Sequence, residues 1–248
     1  MVSDNNFQKL SKKDIPNQDR LIFALDVPTV KDAEELVDRL GDSVSFYKLG
    51  LQLFMAGGYH ELVGRLRDQG KRIMVDLKFF DVPKTVQLAV EGVAALGADF
   101  TTVHGNDDIL KAAVSVKGDT KILAVTVLTS LDQNDLKDLG FQCEVEDLVR
   151  SRASRALEIG CDGVVSSGLE AEHLRASLGH RFLVVTPGIR PFSNSAIQDD
   201  QKRVVTVEDA FRKGADHIVV GRPIKSAPDP HAKALEIQQQ IKAVFQSE

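Results

Sequence analysis

Eight short apolar runs recur along the chain, separated by longer segments in which apolar residues return every three or four positions. The runs are rich in Val, Ile, Leu and Phe, a composition typical of strands that are buried on both faces of a parallel sheet. They occupy residues 21–27, 45–50, 72–78, 99–105, 121–128, 163–168, 182–188 and 217–223. The pattern therefore predicts an α/β protein in which strands and helices alternate.

The clearest helical segments occupy residues 30–40, 82–97, 145–160 and 207–214. Several of them end in glycine, the residue that commonly follows the last turn of a helix. Eight strand–helix units in about 200 residues fit a closed (β/α)8 TIM barrel better than an open doubly wound sheet. No stretch rich in Pro, Gly or Ser divides the chain. We predict one barrel domain over residues 20–248, with an N-terminal extension over residues 1–19 and a closing helix at 230–245.

The composition, 43% hydrophobic and 27% charged, is that of a soluble globular protein. No apolar run reaches the roughly eighteen residues that indicate a transmembrane helix, and the polar N-terminus lacks the apolar centre of a signal peptide. We therefore expect a cytoplasmic protein with no membrane partner. The net charge of −5 argues against nucleic-acid binding, because affinity for the phosphate backbone requires a basic face. Cys143 and Cys161 lack the spacing of metal ligands.

Polar and conformationally special residues collect where the predicted strands end. From the first strand to the eighth they are Asp26, Lys48, Asp76, Lys78, His104, Thr129, Pro187, Gly188, Arg190, Gly221 and Arg222. TIM barrels carry their active sites at this edge of the sheet, so the pattern predicts an active site there. A lone histidine such as His104 is more typical of a hydrogen-bonded packing residue than of a catalytic base.

The third strand carries an unusual set of charges in the stretch IMVDLKFFDVPKTV, residues 73–86. Asp76 and Lys78 are two positions apart and share one face of the strand, and Asp81 follows after a short turn. Buried charges must be paired or put to use, because an unpaired one is costly. With Lys48 at a neighbouring strand end, two lysines and two acids can alternate around one point and keep Lys78 an ammonium ion. A charge pair that merely closes the barrel end is the structural alternative.

The charged stretch also matches the central signature of one family of barrels, Asp-x-Lys-x-x-Asp followed by a proline and a threonine. Here the signature consists of Asp76, Lys78, Asp81, Pro83 and Thr85. The flanking segments FALDVP, YKLG, TVHG, AVTVLTS, VTPGIRP, DDQKRVVT and IVVGRPI match the same family. The chain therefore resembles the bacterial form of the orotidine 5′-phosphate decarboxylase family, over residues 20–223.

This resemblance implies loss of CO2 from C6 of orotidine 5′-phosphate to give UMP, the last step of de novo pyrimidine nucleotide synthesis. It implies no metal and no organic cofactor. By the same resemblance Lys78 donates a proton to C6, and Asp76 lies near the departing carboxylate and holds Lys78. Lys48 completes the charge network and reaches the ribose, while Asp26 binds the ribose 3′-hydroxyl.

The resemblance further implies a homodimer whose subunits share their sites. In this family Asp81 and Thr85 of one subunit reach the ribose 2′-hydroxyl in the neighbouring subunit. Thr129 is expected to contact the amide edge of the pyrimidine, and Pro187 to line that pocket. The small-molecule substrate and the second copy of the chain are thus the predicted partners.

The segment from Pro191 to Gln201 has no apolar periodicity and follows the seventh predicted strand. Such a long loop in a barrel is typical of an active-site lid, although a surface insertion is the alternative. The resemblance assigns the phosphate to Gln201, Gly221 and Arg222, with Arg190 nearby. The loops after strands seven and eight are the usual phosphate site of these barrels, and arginine can bind phosphate bidentately.

Two other functions stay open on the sequence. A Mg2+-dependent decarboxylase or aldolase acting on a keto-sugar phosphate shares the Asp-x-Lys-x-x-Asp run. It would carry an acid near the end of the second strand, where this chain has Lys48, which would repel a divalent cation. A non-catalytic phosphate-binding barrel would keep Gly221 and Arg222 but would need neither Lys78 nor Asp76.

Overall fold

Eight parallel strands form the centre of the structure, a computed structural model that describes residues 10–190 and 204–246. Each strand is hydrogen-bonded to the next, and the eighth pairs with the first, so the sheet closes into a barrel. The strands are β1 (Leu21–Ala24), β2 (Phe46–Gly50), β3 (Arg72–Phe79), β4 (Phe100–His104), β5 (Lys121–Val125), β6 (Gly163–Val165), β7 (Leu183–Thr186) and β8 (His217–Val220). The predicted α/β class and (β/α)8 TIM barrel are confirmed.

Helices follow the strands and surround the barrel. They are α1 (Val30–Leu40), α2 (Leu51–Met55), α3 (Tyr59–Asp68), α4 (Pro83–Ala95), α5 (Asp107–Val114), α6 (Gln133–Asp138), α7 (Val145–Ile159), α8 (Ala171–Leu178), α9 (Val207–Arg212), α10 (Arg222–Lys225) and α11 (Pro230–Gln246). The Thr29 hydroxyl starts α1 by accepting from the Asp32 N–H, and Thr206 starts α9 in the same way. None of the helices in the described ranges has both the length and the apolar composition that crossing a membrane requires.

Several strands end earlier than their apolar runs predicted. β1 ends at Ala24, β5 at Val125 and β8 at Val220, each three residues before the predicted end. The residues that follow leave the parallel ladder for the loops above the barrel, yet Val27 and Val127 are still buried there. Apolar character therefore predicted burial correctly at these positions, whereas strand pairing stops where the loops of the predicted site begin.

Apolar side chains fill the interior of the barrel. Phe46 and Phe100 meet edge to face, with ring centroids 5.0 Å apart and planes at 61°. The other buried members of this cluster are Ile22, Ala24, Met74, Leu123, Leu183, Val185 and Val219. A second apolar layer lies between the strands and the helices, and Leu36 and Val37 of α1 belong to it. The packed interior gives the carboxyl-terminal rim a rigid base.

The described part of the predicted N-terminal extension packs under the barrel around the buried carboxylate of Asp216. Lys13 Nζ lies 2.9 Å from this carboxylate and Arg175 Nη2 lies 2.7 Å from it. The Ser11 hydroxyl also donates to it. Burial alone would raise the pKa of Asp216, but the positive charges of Arg175 and Lys13 outweigh burial and lower it. These contacts attach residues 10–13 to the barrel, while the boundary predicted at residue 19 stays a prediction.

His217 lies beside this cluster at the start of β8 and is 2% exposed. Its Nδ1 is 2.8 Å from the carbonyl oxygen of Asp19, and its ring meets Phe46 and Phe100 edge to face. Because a carbonyl can only accept, Nδ1 carries the proton of a neutral imidazole. Burial lowers the pKa of His217 from 6.5 to about 4.

We predict that His217 makes the stability of the fold depend on pH. Between pH 6.5 and about 4 the unfolded chain binds a proton at this residue and the folded protein does not. The free energy of unfolding therefore falls by roughly 3 kcal/mol on this account as the pH is lowered through that window. His217→Asn keeps an N–H for the Asp19 carbonyl and does not titrate, so it should lose less stability on acidification.

Urea unfolding of both proteins at several pH values from 7.5 to 4.5 measures the difference. His60→Asn, a change at an exposed position on α3, is the matched control and should follow the parent. Parallel curves for the parent and His217→Asn would contradict the assignment.

Candidate active site

A cavity of about 630 Å³ opens at the carboxyl-terminal rim of the barrel. Nine of the predicted site residues line it: Asp26, Lys48, Asp76, Lys78, Thr129, Pro187, Arg190, Gly221 and Arg222. They belong to six of the eight strands or to the segments that follow those strands, and the parallel order of the strands places their carboxyl ends at one rim. The structure thus brings these residues together, while their individual roles stay predictions.

The charged side chains in the cavity alternate in sign. Lys48 Nζ lies 3.1 Å from Asp26 Oδ1 and 3.4 Å from Asp76 Oδ2. Lys78 Nζ lies 2.8 Å from Asp76 Oδ1. The two central side chains, Lys48 and Asp76, are each 11% exposed, whereas the outer two are more open, Asp26 at 49% and Lys78 at 37%. All four side chains line the cavity, and the array is most buried in its middle and most open at its two ends.

Electrostatics hold the buried pair in its charged form. Burial alone would lower the pKa of Lys48, but the carboxylates of Asp76 and Asp26 outweigh it and raise that pKa. Burial alone would raise the pKa of Asp76, but Lys48 and Lys78 outweigh it and lower that pKa. Both groups are consequently ionised at neutral pH. The rim therefore presents fixed charges before any ligand binds, as preorganised electrostatic catalysis requires.

The backbone breaks its regular course at Lys78. Among the described residues Lys78 is the one non-glycine residue with positive φ, at 48°. The ladder between β3 and β4 pairs Val75 with Thr101 and then Phe79 with Val103, so β3 has an irregularity between those pairs. A left-handed conformation is strained for a residue with a Cβ, and such strain is typical of functional sites.

Two cavity features were missed by sequence reasoning. Gly50 ends β2, and a Cβ there would lie 3.2 Å from Lys48 Nζ and 3.5 Å from Asp26 Oδ1. Glycine thus leaves room for the charge array. The signal in the sequence was the glycine two residues after Lys48 in the YKLG segment. Lys225 also lines the cavity, and its Nζ donates to the Asp26 carbonyl at 2.6 Å. Lys225 is three residues from Arg222, and this spacing places the two side chains on the same side of the helix α10. The sequence alone did not show that this segment is helical.

Arg190, Arg222 and Lys225 bring positive charge to the β7–β8 side of the cavity. Gly221 immediately precedes Arg222, and a Cβ there would lie 3.2 Å from the Cβ of Ala24. The Arg190 N–H donates to the Val205 carbonyl at 2.9 Å, which joins the two ends of the intervening segment at this rim. Basic side chains next to a glycine, whose backbone N–H a ligand can approach, suit an anionic group such as a phosphate ester.

Of the predicted site residues within the described ranges, Asp81 and Thr85 are not among those that line the cavity. Asp81 and Thr85 are exposed on the outer surface after β3, and Asp81 Oδ1 accepts from the Val82 N–H at 2.7 Å. Gln201 lies outside the described residues, as does the predicted lid over residues 191–201. Within one subunit, therefore, the described part of the chain does not bring Asp81 and Thr85 to the charge array.

His104 faces a neighbouring cavity of about 350 Å³, lined also by Phe80, Arg152 and Arg155. The rings of His104 and Phe80 are 5.3 Å apart. Burial, with a smaller effect from Arg152, lowers the pKa of His104. The preferred packing role agrees with these contacts, but the expected hydrogen bond is missing for Nδ1, which has no partner among the described residues.

The fold and this cavity define a TIM-barrel protein whose candidate site lies at the carboxyl-terminal ends of its strands. The model of the orotidine 5′-phosphate decarboxylase / HUMPS family matches residues 19–237, and the chain belongs to that family. This match is slightly longer than the resemblance over residues 20–223 that the sequence showed. The predicted family is therefore confirmed.

Curated relatives agree with the family. The orotidine 5′-phosphate decarboxylase of Methylococcus capsulatus is 61% identical over 236 residues, covering 95% of this chain and 97% of the relative. That of Rhodopseudomonas palustris is 50% identical over 234 residues, covering 94% and 98%. These relatives confirm the prediction of an enzyme of the decarboxylase type.

A solved structure is similar over most of the chain. The crystal structure of orotidine 5′-phosphate decarboxylase from Lactobacillus acidophilus has a TM-score of 0.79 and 35% identity. The alignment covers 89% of this chain and 98% of the crystallised one.

Proposed function

We propose that this protein converts orotidine 5′-phosphate to UMP and CO2, the last step of de novo pyrimidine nucleotide synthesis. The observation that carries the proposal is the alternating array of Asp26, Lys48, Asp76 and Lys78 at one side of a cavity whose other side is cationic. The family and its named relatives support the same reaction.

The chemistry explains why such an array is needed. When the C6–carboxylate bond breaks, the electron pair stays in the plane of the pyrimidine ring and cannot delocalise into its π system. Stabilisation must then come from electrostatics and from a proton delivered as CO2 leaves. Lys78 Nζ is the proposed donor: it gives one proton to C6 and becomes a neutral amine, which solvent reprotonates. Asp76 holds the donor and lies beside the departing carboxylate.

Binding of the rest of the substrate follows the shape of the cavity. Lys48 and Asp26 are proposed to contact the ribose, and Thr129, with Pro187 beside it, the amide edge of the pyrimidine. The phosphate is proposed to bind at the cationic side, through Gly221, Arg222, Arg190 and Gln201, the last outside the described residues. Phosphate binding energy would then contribute to the rate as well as to affinity.

The Mg2+-dependent alternative fits the donor set poorly. Lys48 occupies the position near the end of β2 where that reaction would need a carboxylate. Its ammonium already lies between Asp26 and Asp76, at 3.1 and 3.4 Å, and would repel a divalent cation from both acids. The charge array therefore favours the metal-free reaction.

We predict that the purified protein changes the ultraviolet absorbance of orotidine 5′-phosphate in excess EDTA. Lys78→Ala should lower kcat by about 10³-fold or more, because it removes the proton donor and one charge of the array. Lys31→Ala, at an exposed lysine of α1, is the control and should leave kcat unchanged. Turnover that requires Mg2+ and a keto-sugar phosphate would move the assignment to the alternative. No turnover with either substrate would contradict both enzymatic readings.

We predict that Arg222→Ala lowers kcat/KM for orotidine 5′-phosphate by at least about 10-fold, since it removes charge-assisted hydrogen bonds to the phosphate. The activity towards orotidine, which has no phosphate, should change much less. Arg212→Ala on α9, where the arginine pairs with Glu208, is the control. Equal losses on both substrates, or none, would show that Arg222 does not act on the phosphate.

A homodimer is proposed to complete each site with Asp81 and Thr85 of the neighbouring subunit. Both residues are exposed in the single subunit and lie beside exposed apolar side chains. Phe80 is 67%, Val82 63% and Leu88 55% exposed. Exposed apolar groups clustered in this way are typical of a surface that a protein partner covers.

Mixing two inactive variants tests the shared site. In a heterodimer of Lys78→Ala and Asp81→Ala, one site combines an intact Lys78 with an intact Asp81 from the other chain. Random mixing in a two-fold symmetric dimer should therefore restore about one quarter of the parent activity. Measurements of kcat before and after dissociation and reassociation check this. Without recovery in confirmed heterodimers, Asp81 would belong to its own subunit's site.

A further inference from the structure

The hydroxyl of Thr102 on β4 contacts both the backbone of Lys78 and the side chain of Asp76. We propose that Thr102 is a positioning residue, whose single hydroxyl fixes the left-handed backbone of Lys78 and the orientation of its carboxylate partner. The inference rests on the proposed function for its catalytic meaning. The contacts themselves are a property of the folded chain.

The two hydrogen bonds of Thr102 have fixed directions. Its Oγ1 lies 2.9 Å from the Lys78 backbone N and 2.9 Å from Asp76 Oδ1. An N–H can only donate and an ionised carboxylate can only accept. The hydroxyl therefore accepts from Lys78 and donates its one hydrogen to Asp76. Thr102 is fully buried, so water does not replace either bond cheaply.

The first bond compensates for the irregularity in β3. The ladder to β4 skips from Val75 to Phe79, and Lys78 lies in the gap with a φ of 48°. A left-handed conformation is strained for a non-glycine residue and persists when surrounding contacts hold it. The Thr102 hydroxyl accepts a hydrogen bond from the Lys78 N–H at the point where the β3–β4 ladder is interrupted. It thereby stabilises the backbone conformation from which the lysine side chain enters the cavity.

The second bond fixes the rotation of the Asp76 carboxylate. Asp76 Oδ1 receives both the Thr102 hydroxyl at 2.9 Å and Lys78 Nζ at 2.8 Å. Asp76 Oδ2 is left for Lys48, at 3.4 Å. Burial raises the pKa of Asp76, the two lysines lower it more strongly, and the Thr102 bond adds to the lowering. One hydroxyl thus binds the carboxylate of Asp76 and the backbone of Lys78, the two residues of the ion pair.

Thr101 provides a matched control in the same strand. It is also fully buried, but its hydroxyl donates to the Val75 carbonyl at 3.1 Å and makes no contact with the ion pair. Thr→Val is nearly isosteric at either position and removes one buried hydroxyl. The two substitutions are therefore alike in chemistry and differ in whether they touch the charge array.

The test compares Thr102→Val, Thr101→Val and Thr102→Ser with the parent. We expect Thr102→Val to lower kcat at least about 10-fold, the effect of losing a hydrogen bond to a charged group, with a small change in KM. Thr102→Ser restores the hydroxyl and should recover most of kcat. Thr101→Val should stay within about threefold of the parent. Urea unfolding should show that both valine variants remain folded, with the larger loss of stability in Thr102→Val, where a buried N–H and a buried carboxylate each lose a partner.

The pH profile of kcat adds a readout that a purely structural role would not change. Loss of the Thr102 hydrogen bond raises the pKa of Asp76, so the acidic limb of the profile should move to higher pH in Thr102→Val. The limb should not move in Thr101→Val. If Thr102→Val fails to fold, Thr102→Cys, whose thiol is a weak donor, takes its place with the same expected shift.

The outcomes separate this inference from the proposed function. A parent protein inactive on orotidine 5′-phosphate contradicts the function. An active parent whose Thr102→Val and Thr101→Val variants have the same kcat and the same acidic limb overturns the role of Thr102 and leaves the function intact. Binding of UMP, measured by calorimetry, should be similar in all variants, because none of these threonines lines the cavity among the described residues.

Discussion

The rim of this barrel depends on one buried ion pair, that between Lys48 and Asp76. Neither charge could remain buried alone, since each is nearly enclosed by protein and an unpaired buried ion is strongly destabilising. Their mutual stabilisation keeps both ionised, and each then binds one outer partner, Asp26 or Lys78. Gly50 leaves the space that the array needs. The geometry offered to a ligand is therefore set by the folded protein rather than by the ligand.

Alternation along strands made much of this site predictable. Because side chains in a regular strand point alternately to its two faces, the sequence predicted that Asp76 and Lys78 share a face and that Lys48 reaches the same rim from a parallel strand. The left-handed backbone of Lys78 was not predictable, because the sequence has no glycine or turn signal there. The choice between Thr101 and Thr102 was equally hidden, since it depends on the register across the irregular pairing.

Other features of the chain were predicted only in part, for different reasons. Lys225 lies in a helix of one turn, too short to give an apolar period. Asp81 and Thr85 are exposed in the single chain, and the role proposed for them needs a second subunit. Strand ends were placed too far along because apolar residues such as Val27 remain buried after leaving the ladder. Strand pairing and side-chain burial are different properties, and the hydrophobicity of a residue indicates its burial rather than its pairing.

The two ends of the barrel have different roles, one in stability and one in the candidate site. Beneath it, Asp216 and His217 join the N-terminal segment to the strands through buried polar contacts. Above it, the alternating charges create an evolutionary constraint. A change of Lys48 alone would leave the buried carboxylate of Asp76 with Lys78 as its remaining cationic partner. A change of Asp76 alone would leave the ammonium groups of Lys48 and Lys78 without the carboxylate that lies between them. A lineage moving to another chemistry on this scaffold would therefore have to replace the two together, a strongly epistatic step.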